Sequence, residues 1–393
     1  MFETIQPSPP DPILGLTEAF LKDPNPDKVN LGVGVYKDES GQTGVFRCVK
    51  EAERMLVENE TTKGYLGIGG TPEYAEAVQR LLFQDKFDGL KDRLATIQSL
   101  GGTGALRVAG EFIKEELSGP KIWFSNPTWV NHGKVFAASG LETADYPYYS
   151  NATRTLEFDK TLEALKAIPK GDIVLLHGCC HNPTGADLEL DQWRQVFEIT
   201  KKNQLLPFID LAYQGFANGI SADVEPLQLL ADYHSEFIVA SSFSKNIGLY
   251  RERIGALTIA SQDANSASNC LGALKRVIRA NYSNPPSHGQ AIVTASLTDD
   301  RLRGIWVEEV DEIRNRIRQM RDTFSSLMAD RGHDFSHIKR QQGMVSLLGI
   351  SKEQVDELKK TRSIYLVGSS RINMAGLTSN NIERVVDAIC TVL

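Results

Sequence analysis

The stretch "SSFSKN" at 241–246 sets one lysine, Lys245, among serines directly after the apolar run "FIVA" (Phe237 to Ala240). A lysine at the end of a buried strand is unfavourable unless it is exposed, paired or chemically used. Chemical use means a Schiff-base amine, whose pKa falls when a cleft desolvates it. Ser242 and Ser244 flank the lysine, and Arg253 follows in "YRERIGA". Hydroxyls beside an arginine fork are a donor set for a phosphate group. "GGTGAL" at 101–106 follows the apolar "LATIQSL" and opens the helical segment "LRVAGEFIKEEL". Gly101, Gly102 and Thr103 then offer backbone N–H groups at a helix N-terminus, a second anion site. These glycines lack the GxGxxG spacing, so a dinucleotide fingerprint is not supported.

A phosphate-bearing ligand that also needs a lysine amine is pyridoxal 5′-phosphate. Its ring nitrogen must stay protonated for the ring to draw electrons, which requires a carboxylate. Asp210, ending "LPFID", is the candidate. Trp129, Asn182 and Tyr213 lie in similar strand-end clusters and could supply a ring face and donors to the phenolic oxygen. Arg279, in "RVIRANYSNPPSHG", and Arg371, in "GSSRINMAG", could clamp a substrate that carries two carboxylates. Taken singly, each feature has a plainer alternative: a solvated lysine, a glycine turn, a helix-capping aspartate, a surface arginine. "HGCCHNPTG" at 177–185 raises zinc, but its spacing is wrong for a finger or ribbon, and adjacent cysteines do not easily share a tetrahedral site. Buried thiols fit better, and no metal is expected.

The elements that must position these residues repeat one arrangement. "KIWF" leads into "SNPTWVNH", "DIVLLH" into "GCCHNPTG", "LPFID" into "LAYQG" and "FIVA" into "SSFSKN". Between them lie segments such as "DLELDQWRQVFEITKKN" (187–203), with Leu190, Trp193, Val196, Phe197 and Thr200 at helical spacing. Strands alternating with helices predict a largely parallel α/β sheet, whose ligands bind beyond the carboxyl ends of the strands. All four polar clusters fall at that end. The last third differs: 310–332 reads as a long amphipathic helix ended by Gly332, Ser351 and Gln354 have capping-box spacing, and "NNIERVVDAICTVL" closes the chain as a helix.

The expected division is an extended Pro-rich arm at 1–12, a large domain at 46–309, and a small domain formed by 13–45 with 310–393. The 393 residues include 41% hydrophobic and 24% charged, with a formal net charge of −7. That balance is globular and argues against a nucleic-acid or anionic-membrane surface. Cys48, Cys179, Cys180, Cys270 and Cys390 are an odd, sparse set, a poor disulfide framework. With no signal-like N-terminus and no apolar run of membrane-spanning length, a cytoplasmic protein is expected.

These motifs together resemble the class I pyridoxal-phosphate aminotransferases. "SSFSKNIGLYRERIGA" matches that family's lysine signature, and "NPTWVNH", "HGCCHNPTG", "DLAYQGF", "RANYSNPPSHG" and "GVGVYKDESG" extend the match over nearly the whole chain. The nearest branch is that acting on aspartate and 2-oxoglutarate, with the aromatic amino-acid branch as its sibling. Val35, Lys37, Thr43, Thr103 and Asn284 resemble the aspartate branch.

The resemblance implies a fold-type I homodimer with a seven-stranded sheet, a smaller α+β domain and shared active sites. It implies Lys245 as the cofactor-bearing amine and Asp210, supported by His132, at the ring nitrogen. Trp129 would stack on the ring, and Asn182 and Tyr213 would bond its phenolic oxygen. Gly102, Thr103, Ser242, Ser244 and Arg253 would hold the phosphate, joined by Tyr65 from the other subunit. Arg371, with Gly34 and Asn182, would bind the α-carboxylate, and Arg279 of the partner subunit the distal one. Gly64 stands where the family has asparagine. Val345 and Leu347 stand where it has phenylalanine, and the smaller Val345 is expected to widen the pocket or loosen domain closure.

Overall fold

The computed structural model describes residues 1–7 and 14–393. Seven strands form its main sheet: β1 (Leu94–Leu100), β2 (Ile122–Asn126), β3 (Thr143–Pro147), β4 (Ile173–His177), β5 (Leu206–Leu211), β6 (Phe237–Ser242) and β7 (Ile254–Ala260). Their order is β1-β7-β6-β5-β4-β2-β3, and only β7 runs antiparallel to its neighbours. The four apolar runs singled out in the sequence are β2, β4, β5 and β6. Alternate residues enter different cores: Val174 and Leu176 join one apolar cluster, Ile173 and Leu175 the other. A strand buried on both faces reads as a continuous apolar run, which is why "DIVLLH" shows no polar alternation.

The sheet gathers chain ends at one edge. His177 pairs with Asp210, Leu211 with Ser241, and Gly255 with Ser242. Because β7 is antiparallel, its first residue, Ile254, lies beside the last residue of β1, Leu100. Arg253 therefore meets the glycines that open helix α1 (Gly101–Glu116). The backbones approach closely there: a Cβ on Gly255 would stand 2.7 Å from the Gly101 carbonyl carbon.

Helix α2 (His132–Ala138) follows β2, and α3 (Leu190–Lys202) lies between β4 and β5. A capping box made by Glu189 and Gln192 starts α3. The long helix α4 spans Asp300–Asp330, ten residues earlier than the apolar spacing indicated, because Asp299 caps it by accepting from Leu302 N at 2.9 Å. The expected boundary at 309/310 falls inside this helix. Gly332, with φ +83°, does follow its end. Trp306 of α4 is fully buried, and its Nε1 donates to Asn246 O at 2.6 Å, tying the helix to the turn that carries Lys245.

Beyond α4, β8 (Val345–Leu347) pairs antiparallel with β9 (Arg371–Asn373). Helix α5 (Lys352–Arg362) packs on the Ile364–Tyr365 strand and α6 (Ile382–Cys390) on α4, and Ser351 and Gln354 form the capping box their spacing predicts. Val29–Asn30 pairs with Ile364–Tyr365, so the early segment packs on the late one. Val345 is buried in the β8–β9 pair and does not line the cavity described below. Phe2–Thr4 make one short 3-10 turn ahead of Pro7, the first proline. The other prolines assigned to the arm lie outside the described residues. All five cysteines are free thiols, and among the described residues no helix is long and apolar enough to cross a membrane.

Candidate active site

A cavity of about 160 Å³ opens at the gathered chain ends. Lys245, Asp210, Tyr213, Asn182, Trp129, Ser242, Ser244, Arg253, Gly102 and Thr103 all line it. Ten residues singled out in the sequence thus share one space. Nine follow an apolar run that the sheet aligns; Arg253 instead precedes β7, whose antiparallel direction brings it to the same end.

One wall is built for an anion. Ser242 Oγ lies 3.2 Å from Ser244 Oγ, and Arg253 Nη1 donates to Ser244 Oγ at 3.4 Å and to Tyr250 O at 3.1 Å. Arg253 itself has φ +54°. A Cβ on Gly101 would stand 2.7 Å from Arg253 Nη2, so only glycine lets the guanidinium reach the start of α1. Hydroxyls, a guanidinium and a helix N-terminus then converge.

The opposite chemistry lies on β5. Asp210 Oδ2 is 3.0 Å from His132 Nε2, and His132 Nδ1 is 2.8 Å from Thr128 Oγ1. Burial pushes the Asp210 carboxyl up, but the His132 hydrogen bond and the charges of His132, His177 and Lys245 outweigh it and hold the group below its ordinary value. Asp210 is thus a buried carboxylate that stays ionised. Lys245 is half-buried, with Nζ 4.8 Å from the Tyr213 ring centroid. Burial lowers its pKa to about 8; Asp210 opposes the shift, and Arg253 and Arg371 add to it. Burial raises the Tyr213 phenol, keeping it a neutral donor.

Arg371, 5% exposed, does not itself line the cavity but donates to Asn182, which does. Its Nη2 donates to Gly32 O at 2.6 Å and its Nη1 to Asn182 Oδ1 at 3.4 Å. Its Nε is buried with no partner among the described residues, a donor left for a ligand. With Asn182 Oδ1 engaged, that side chain presents its amide N–H groups. Gly34 lies in the strap beside Gly32, where Asn373 Nδ2 donates to both Val33 O and Val35 O at 2.8 Å. Gly34 does not line the cavity, nor do His132, Tyr65 and Arg279. Tyr65 is 95% exposed, and Arg279, also exposed, donates to Ser283 Oγ.

Sequence reasoning missed Leu106, His177, Cys179, Ala212 and Tyr250, which also line the cavity. His177 was recoverable, since it ends β4 as Asp210 ends β5. It lies 5.3 Å from the His132 ring, and burial with the His132 charge lowers its pKa to about 3. Tyr250 carried no signal; its hydroxyl accepts from Tyr36 N at 3.2 Å.

The "HGCCH" stretch does not converge on a metal. His181 bonds Ser125 and Thr184 through its two ring nitrogens, both at 2.8 Å. Cys179 is held protonated by its contact with Cys180 and by burial. Among the described residues the one ligand-like cluster is His132, His177 and Asp210, which takes a single residue from that stretch.

A family model described as aminotransferase class I and II matches residues 26–389. The chain is 48% identical to the aspartate aminotransferase of Escherichia coli strain K12 over 396 aligned positions, covering 100% of both chains. It is 44% identical to an aromatic-amino-acid aminotransferase of Pseudomonas aeruginosa, covering 100% of this chain and 98% of that one. Among solved structures, an aromatic-amino-acid aminotransferase from Burkholderia pseudomallei covalently bound to pyridoxal phosphate aligns with a TM-score of 0.96. That pair is 45% identical and covers 100% of this chain and 99% of the other.

Proposed function

The chain belongs to the class I and II aminotransferase family, and on that premise we propose that it transfers the amino group of L-aspartate to 2-oxoglutarate. The products are oxaloacetate and L-glutamate. The observation that carries this reading is a single cavity holding a lysine amine with a pKa of about 8, an ionised Asp210 hydrogen-bonded to His132 behind it, and an anion cradle.

The cavity fits pyridoxal 5′-phosphate on its own terms. The space a Cβ on Gly101 would fill is kept for Arg253, and the Arg371 Nε donor has no partner among the described residues. Ser242, Ser244, Arg253 and the N–H groups of Gly102 and Thr103 would hold the phosphate. Asp210 would face the ring nitrogen, Trp129 the ring, and Asn182 and Tyr213 the phenolic oxygen. When bound, the cofactor supplies a sink for the electron pair left as a substrate loses its α-proton.

The chain's own residues do the rest. Lys245 Nζ takes the α-proton as general base and, once protonated, would give it up as general acid on the cofactor side and not back to the α-carbon; a pKa of about 8 keeps both forms populated near neutrality. His132 Nε2 keeps Asp210 Oδ2 ionised. Arg371 Nε and the Asn182 amide bind the α-carboxylate and so fix which substrate bond faces Lys245. Residues 46–309 would form the cofactor-binding domain, and 13–45 with 310–393 the small domain, in line with the pairing of Val29–Asn30 to Ile364–Tyr365. A cytoplasmic homodimer would bring Tyr65 and Arg279 of each copy to its neighbour's cavity, which accounts for their exposure here.

Purified protein should be yellow, and borohydride should bleach it while fixing the cofactor to Lys245. Initial rates against both substrates should give parallel lines, as two half-reactions require; intersecting lines would contradict the proposal. The 44% identity to an aromatic-amino-acid aminotransferase supports a second reading, with phenylalanine or tyrosine as the main donor. Comparing kcat/KM for aspartate and phenylalanine decides between them. Arg279→Leu should impair aspartate far more than phenylalanine, because only aspartate has a distal carboxylate.

A further inference from the structure

Arg321 of α4 is 2% exposed, yet its donors all go to neutral oxygens. Nε reaches Gly343 O at 3.1 Å; Nη1 reaches Ile338 O at 3.2 Å and Ser346 Oγ at 2.6 Å; Nη2 reaches Gly343 O at 2.7 Å and Val345 O at 2.8 Å. A guanidinium out of water is costly unless hydrogen-bonded this fully. Every acceptor lies in the segment 338–346, so one rigid fork sets the shape of that segment.

The segment touches both halves of the carboxylate site. Downstream it becomes β8, where Leu347 pairs directly with Arg371. Midway it grips the turn after β4: Gln342 N donates to Gly185 O at 2.6 Å. A Cβ on Gly343 would clash with Cys180 Cβ and Sγ, so the Gly343 backbone packs directly against the Cys180 side chain. Asn182 lies within that 180–185 turn and accepts from Arg371 at 3.4 Å.

We propose that Arg321 is a positioning residue that sets the spacing between Asn182 and Arg371, and through it the affinity for the substrate's α-carboxylate. This rests on the reading of Arg371 as the α-carboxylate ligand. A role confined to folding would lower the melting temperature and the active fraction, leaving KM alone. A positioning role moves KM, because a misplacement of about 1 Å at a binding pair is felt strongly.

The test uses the holoenzyme. Arg321→Met should raise KM for both aspartate and 2-oxoglutarate by about tenfold or more, with kcat within about threefold of wild type. The calorimetric Kd for succinate should weaken by a similar factor. Arg321→Lys, which keeps the charge but loses the fork, should fall between, and it serves alone if the methionine variant does not fold. In an Arg371→Leu background Arg321→Met should add no more than about twofold, since both act through one contact. Unchanged KM and succinate Kd in the Arg321 variants, or an equal factor in both backgrounds, overturns the proposal. If Arg371→Leu by itself leaves KM unchanged, the reading of Arg371 fails, and this proposal falls with it by a separate and recognisable route.

Discussion

The turn after β6 and the segment 338–346 each hold a cation away from water. Around Lys245 the surroundings are an aromatic face and charges of both signs, and burial brings the amine to about 8. Around Arg321 the hydrogen-bond acceptors are carbonyls and a hydroxyl, and burial, opposed by Cys180 and Asp187, brings the guanidinium to about 10. The first cation can therefore lose its proton in the working pH range, and the second cannot. The difference lies in the ordinary value each head group starts from: burial lowers both to a similar extent, but a guanidinium begins well above an ammonium and so stays charged. Arg321 is also held rigid, because its planar fork has its N–H groups engaged. One region is arranged to react and the other to hold geometry.

The largest effect that could break this comparison is the loss of the reactive amine. Lys245→Ala should retain the cofactor noncovalently while turnover drops by about ten-thousandfold or more. Steady-state kcat and the absorbance of the dialysed protein check both parts; near-normal turnover would end the assignment. Asp210→Ala comes next, with kcat lowered by about a hundred- to a thousandfold, because it removes the carboxylate that answers the ring nitrogen. If Asp210→Ala left kcat intact but raised KM alone, Asp210 would belong to binding geometry, as Arg321 does.

The first of the two regions was legible in the sequence and the second was not. Lys245, Asp210 and Asn182 announce themselves because each sits in a polar cluster directly after an apolar run, and a parallel sheet brings such ends together. Arg321 gives no such signal. It sits at helical spacing among the charges of α4, and its burial depends on where a distant segment folds. Tyr250 was missed for the same reason: its place in the cavity follows from the turn between β6 and β7. β3 and β7 were missed as strands. "TADYP" has no apolar run, and its Tyr146 side chain reaches the core and bonds Leu175 O at 3.0 Å. The start of α4 was placed too late because five charges and Gly304 break up the apolar residues of 300–309, while the cap that begins the helix is a single aspartate.

A smaller effect sharpens the titration side of the comparison. The neutral Lys245 amine is the form that attacks an aldehyde. Below its pKa of about 8 the neutral fraction falls about tenfold per pH unit; above it the fraction is nearly constant. Stopped-flow capture of pyridoxal phosphate by the apoenzyme should therefore speed up as pH rises from about 6 to about 8 and then level. A rise that continued toward pH 10 would show an amine with an ordinary lysine pKa. Arg321→Met should leave that midpoint unmoved, because Arg321 is not among the charges that shift Lys245.

The smallest effect belongs to a site chosen to touch neither cation. Ser351 Oγ accepts from Gln354 N at 3.2 Å, and Gln354 Oε1 accepts from Ser351 N at 2.7 Å, closing the box that starts α5. Ser351→Ala frees the Gln354 N–H at an exposed helix start, where water replaces the bond in part, so the loss is about 1 kcal/mol. In a chain of this size that amounts to a fall of about 1–3 °C in melting temperature by calorimetry. KM for aspartate and 2-oxoglutarate should stay within about twofold, since no hydrogen bond of Arg321, Asn182 or Arg371 involves α5. That outcome separates two accounts of the C-terminal segments. If any loosening there raises KM, substrate affinity reads out their general stability; if only Arg321 does, it reads out one fork of hydrogen bonds.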